Sequence, residues 1–197
     1  MIRNKVLIGI CLAMFAVRGL AQTSPGGTPP AVLTSGEFAG NVYTNEVLKL
    51  SYQLPGHWQT KHGSALATGA IILFVAVERT DKPLKGGVLV SADDVNAYNS
   101  PPLDLRSYSQ KVSRALFKKP GTTVIREAYP LTFAGHMFYR ADFKQESPNT
   151  GSYKAFLCTK IRGYYTSWAF VASTPDELNE FVSSLNRLSF GVSSAAH

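Results

Sequence analysis

The side chains that can do chemistry here are few, and their spacing limits what that chemistry can be. Residues 22–197 hold one thiol, Cys158; the other cysteine, Cys11, lies in the first twenty-one residues. A nucleophilic cysteine needs a base within hydrogen-bond reach, and His136 on a neighbouring strand is the candidate. A small packed thiol is the alternative and the expectation. His57 and His62 stand five apart, so on an extended strand they turn to opposite faces, which argues against a shared zinc ion; surface or partly buried histidines are expected, with a three-ligand site including His136 as the alternative. Asp93-Asp94-x-Asn96 is the nearest approach to a hard-cation loop. It lacks the alternating third ligand, the glycine and the closing glutamate, so a turn or loop cap is expected. The chain has no phosphate-cradling glycine loop, G-x-S-x-G, H-E-x-x-H or C-x-x-C. No catalytic residue, metal or cofactor is assigned on these grounds.

Two further sets could bind rather than react. Lys111, Arg114 and Lys118 form a basic stripe at helical spacing, expected to be a solvated outer face, with an anionic membrane or partner as the alternative. Tyr164, Trp168 and Phe170 share one face of a strand and are expected beneath a helix. Tyr165 points the other way, where it could reach a surface groove, although core packing is the expectation for the set and a ligand platform the alternative.

The elements that must position these residues read as strands and two helices. Tyr43 to Leu54 is expected to be one strand, closed by Pro55-Gly56, followed by a short strand His57 to His62. Ala70 to Glu78 is apolar at both parities, as a strand covered on both faces would be, and Val88 to Ser91 follows. The first helix starts at an Asp104 N-cap, with Leu105, Tyr108, Val112, Ala115 and Leu116 on one face. Four strands come next: Thr122 to Tyr129, His136 to Lys144, Tyr153 to Ile161 and Tyr164 to Ala172. Thr174-Pro175-Asp176-Glu177 combines an N-cap, a proline at the first helical position and a capping-box acid. Leu178, Phe181, Val182, Leu185 and Leu188 then form one apolar stripe. Strands with two amphipathic helices to cover them make an α+β domain, an antiparallel β-sheet sandwiched by helices in α/β/α layers.

The first residues carry an address. Met1 to Lys5 is basic, Val6 to Val17 is uncharged, and Gly19-Leu20-Ala21 offers small residues to a signal peptidase. A secretory signal peptide over 1–21 is expected, cleaved between Ala21 and Gln22. Its removal takes three bases and no acid, leaving seventeen bases against thirteen acids, and the single Cys158 excludes an internal disulfide. That mild charge, with export, speaks against nucleic acid as a partner. Residues 22–40, rich in Pro, Gly, Ser and Thr, read as a flexible leader. Residues 41–190 form the domain and 191–197 a disordered tail.

Asn41-x-Tyr43-Thr44-Asn45-Glu46, the Leu54-Pro55-Gly56-His57-Trp58 closure, Arg162-Gly163-Tyr164-Tyr165 and the Pro-Asp-Glu helix ending Leu188-Ser189-Phe190 resemble the PsbP-like family. That family is named for an extrinsic subunit of photosystem II and includes many exported bacterial proteins. The resemblance spans about 41–190. It implies an antiparallel sheet sandwiched by helices and a non-catalytic binding or accessory role; none of its ion-binding residues has a counterpart here. The expected function is an exported binding or accessory module, periplasmic or extracellular, with an unknown protein or small-molecule partner and no membrane span in the mature chain. A small hydrolase-like enzyme with a dispersed site, and a structural subunit of an envelope complex, are the alternatives.

Overall fold

Strand residues that alternate between two apolar faces need cover on both sides, and the architecture supplies it. A computed structural model describes residues 33, 36–55, 58–63, 70–78, 86–98, 101–146 and 151–191. In chain order the elements are β1 (Glu37–Ala39), β2 (Val42–Asn45), β3 (Leu50–Gln53), β4 (Trp58–His62), β5 (Ile71–Glu78) and β6 (Gly86–Asp94). A short α1 (Val95–Tyr98) and α2 (Leu105–Leu116) precede β7 (Thr122–Phe133), β8 (His136–Gln145), β9 (Ser152–Ile161) and β10 (Tyr164–Ala172). The chain closes with α3 (Pro175–Ser183), a 3-10 turn (Ser184–Arg187) and β11 (Leu188–Phe190).

The strands form two antiparallel sheets, one of four in the order β1-β2-β3-β11 and one of seven in the order β4-β5-β6-β10-β9-β8-β7. One face of the larger sheet, with Val88, Val90, Trp168 and Phe170, packs with Tyr43, Tyr52 and Leu50 of the small sheet and with Leu178, Phe181 and Val182 of α3. The other face, with Phe143, Phe156, Cys158 and Tyr165, packs with Tyr108 and Phe117. The α+β fold with helices on both sides is as expected, and the small sheet shares one of those sides with α3.

Local chemistry explains the helix boundaries. The Asp104 carboxylate accepts the Ser107 N–H at 3.0 Å, and the Thr174 hydroxyl accepts the Glu177 N–H at 3.2 Å with Pro175 in the first turn. Leu178, Phe181 and Val182 of α3 are buried as their spacing predicts, while Leu185 and Leu188, expected on the same helix, are buried from the 3-10 turn and β11; each such side chain contributes about 1.5–3 kcal/mol. Hairpins close where two successive residues take positive φ, as at Arg162 (47°) with Gly163 (85°).

Two expectations change. Tyr43 to Leu54 is a hairpin, not one strand: the Asn45 side chain accepts the Leu48 N–H at 3.0 Å, Lys49 takes φ 48°, and β2 folds back on β3. The sheet also begins ahead of Asn41, because β1 pairs with β2 and Leu33 is buried with its carbonyl accepting from the Asn45 amide at 3.0 Å. Those contacts fall within the stretch 22–40 that composition assigns to a leader.

Candidate functional site

Where β3 ends and α3 packs across the sheet, the surface is concave. A depression of about 240 Å³ is lined by Pro55, Trp58, Glu180, Phe181, Ser183, Ser184 and Arg187. Its floor is aromatic, with the Trp58 and Phe181 rings edge to face at 4.9 Å. The Ser184 hydroxyl donates to the Phe181 carbonyl at 2.5 Å and lies 2.5 Å from the Tyr52 hydroxyl, and the Ser183 hydroxyl donates to the Glu180 carbonyl at 2.6 Å. Both serines are therefore committed to the backbone rather than to a base. Burial pushes the Tyr52 phenol well above its usual range, against the smaller opposing effects of Ser184 and Arg187. Glu180 and Arg187 stand exposed on the rim, and neither forms an ion pair among the described residues. An aromatic floor between opposite charges can hold an apolar group flanked by polar ends.

The reactive groups lie elsewhere, sealed between α2 and the larger sheet. Asp93 on β6 and Tyr165 on β10 are cross-strand partners. The Tyr108 ring of α2 stacks on Tyr165 at 3.9 Å, and its hydroxyl donates to Asp93 Oδ2. Asp93 Oδ1 is buried with no hydrogen-bond partner among the described residues. Burial pushes this carboxyl up to about 6, partly offset by the Tyr108 hydrogen bond. The Tyr165 hydroxyl donates to the Leu103 carbonyl, fastening the approach to α2. Lys154 lies beneath the far end of α2, donating a hydrogen bond to Gln145 Oε1, its amine brought down to about 8 by burial and by Lys119.

This arrangement separates the residues that sequence spacing offered as partners. Cys158 is buried on the α2 face, its sulfur 3.8 Å from the Leu105 carbonyl, and burial pushes the thiol up to about 12. It pairs across strands with Tyr139, so His136, an odd step away on β8, falls on the opposite face, where its ring meets Phe190 at 4.3 Å. A Cys158–His136 couple does not form. His62, on β4, packs against Phe38 of β1 and lies five strand spacings, roughly 24 Å, from β8, so it shares no ion with His136. His57 lies outside the described residues, as do Ala21 and Gln22, and no group of three metal-ligating side chains occurs among the described ones. Asp94 caps the Asn96 N–H at 2.8 Å while Asp93 turns inward, which is the loop cap expected.

Tyr165 packs in the core rather than reaching a surface groove: it is fully buried, because α2 covers the face to which its parity assigns it. Of the basic stripe, Arg114 meets Glu127 of β7 at 2.5 Å, an exposed pair that contributes little stability. The depression has no signature in the sequence beyond the Pro-Gly-x-Trp stop, since its other wall comes from residues 180–187. Among the described residues no helix is long and apolar enough to cross a membrane.

No family model matches the chain, and no curated protein matches it by sequence. Among solved structures it is similar to cyanobacterial PsbP (CyanoP) of Synechocystis sp. PCC 6803, with 11% identity and a TM-score of 0.54, over 85% of this chain and 99% of that one. It is also similar to LpqN of Mycobacterium tuberculosis, a protein involved in cell envelope biogenesis, with 13% identity and a TM-score of 0.47, over 71% of this chain and 82% of that one. The likeness to CyanoP is one of fold.

Proposed function

We propose that this PsbP-like fold serves as an exported, non-catalytic binding or accessory module, and that the depression beside α3 is where its partner docks. One contrast carries the proposal. The groups able to react, Cys158 and Asp93, are locked under α2, whereas the open concavity offers an aromatic floor and a charged rim. A buried thiol pushed up to about 12 is protonated and screened from substrate, while aromatic floors with opposite charges at the rim suit recognition. Export rests on the basic, apolar and small-residue order of positions 1–21. The fold likeness to CyanoP is compatible with an accessory task.

The test is affinity capture of the native exported protein with mass spectrometry, alongside a Glu180→Lys/Arg187→Glu form. A partner held by the wild type and lost from the reversed form supports docking at the depression. A partner retained equally by both overturns that placement. Exported protein whose N-terminus is Met1 rather than Gln22 overturns the export step.

A further inference from the structure

The bases of residues 22–197 are gathered in one place. From Leu105 to Arg126 there are six, Arg106, Lys111, Arg114, Lys118, Lys119 and Arg126, and no acid. The remainder of residues 22–197 holds eleven bases against thirteen acids, so the whole positive excess belongs to this stretch. The stretch also carries two of the three exposed large apolar side chains among the described residues, Val124 at 45% and Ile125 at 55%.

The fold brings charge and apolar surface together. After Pro120-Gly121 the chain runs back beside the helix, so that Arg114 of α2 reaches Glu127 of β7. Tyr108, Ser109 and Ser113 hold the other side of α2 against the sheet, which leaves Lys111, Arg114 and Lys118 facing outwards. β7 is the edge strand of the larger sheet, and its ladder shifts register between Val124 and Arg126 and again before Tyr129. Such bulges spoil an edge as a template for an added strand, so strand pairing with a partner is not what this surface offers.

We propose that the α2–β7 surface docks on an anionic phospholipid surface. Lys and Arg side chains held near a negatively charged bilayer are attracted to its headgroups, and Val124 and Ile125 supply the short apolar projections that enter the headgroup boundary. The apolar face of α2 stays in the core, so docking requires no rearrangement of the fold. The depression at α3 lies across the sheet from α2 and would face away from the lipid. This goes beyond the module reading and does not depend on the depression being its partner site.

The test is co-sedimentation of the chain beginning at Gln22 with vesicles of phosphatidylcholine alone or with about one-third phosphatidylglycerol. The wild type should bind only the anionic vesicles and should be released as salt rises from 0.1 to 0.5 M, a screening length falling below about 10 Å. Lys118→Glu should weaken binding several-fold with an unchanged melting temperature. Ile125→Asp should weaken it several-fold, and Glu180→Lys/Arg187→Glu should leave it intact. Equal binding to both vesicle types, binding indifferent to charge reversal, or retention on an immobilised acidic polypeptide but on neither vesicle would overturn the proposal.

Discussion

Replacing Asp93 by asparagine should stabilise the protein at neutral pH, and by an amount that depends on pH. Asp93 is 4% exposed and takes one hydrogen bond from Tyr108, while its second oxygen has no partner among the described residues. Among the described residues no cation offsets its burial: Tyr108 and Tyr165 flank it, and Ala92 and Asp94 are its chain neighbours. Burial therefore raises its pKa from 3.8 to about 6 in the folded chain. With the folded value above the unfolded one, the folded state holds the proton more tightly. The resulting stability is fully present below about pH 3.8 and is lost as pH rises through about 6. A shift of roughly two units corresponds to about 3 kcal/mol, an upper figure for one group. The amide keeps an acceptor for Tyr108 and never ionises. Urea unfolding of both proteins between pH 4 and pH 8 gives the difference in stability directly. The Asp93→Asn form should gain on the wild type by up to about 3 kcal/mol across that window, with most of the change between about pH 4 and 6.5. A difference that stays constant with pH, or one that shrinks towards pH 8, would refute the claim of an uncompensated buried carboxylate.

Other consequences follow from single contacts. Cys158 should react with iodoacetamide only after denaturation, and rapid labelling of the native protein would contradict its sealed position. Thr174→Ala removes the cap of α3 and should cost about 1 kcal/mol in chemical unfolding; no loss would mean the cap is idle. Asp142→Ala strips the carboxylate from largely buried Arg140, bonded at 2.7 Å, leaving it the Asn179 amide oxygen at 3.0 Å, and should cost about 3 kcal/mol, where a loss under about 1 kcal/mol would show that Asn179 and solvent suffice for Arg140. Lys154→Met removes a buried amine with no acid partnering it among the described residues, so stability at pH 7 should be unchanged or higher; a clear loss would show that the Gln145 contact matters more than the burial cost.

Much of the fold is legible in the sequence because its signals are local. The cap and stripe of α3, the Asp104 cap of α2 and the turns at Gly135 and Gly163 each lie within a few residues of what they determine. The β2–β3 hairpin escapes such reading because its turn is made by the Asn45 side chain and an ordinary lysine at positive φ, with neither glycine nor proline to mark it. The fate of Tyr165 is hidden for a different reason. Alternation says which face a side chain takes, but not which face a helix will cover, and that depends on packing between elements far apart in sequence. The candidate site has the same character: Trp58 and Arg187 meet only because α3 returns across the sheet to the end of β3. The charge segregation of residues 105–126 is present in the sequence throughout, but it gains meaning only with Val124 and Ile125 exposed beside it.

The proposed role of the depression at α3 is to bind a partner rather than to turn over a substrate. Its most direct measurement is the affinity of the captured partner for the wild type and for Arg187→Glu, determined side by side by calorimetry at equal thermal stability. Affinity should be at least tenfold weaker for Arg187→Glu, a difference of about 1.4 kcal/mol. Equal affinities would contradict the claim.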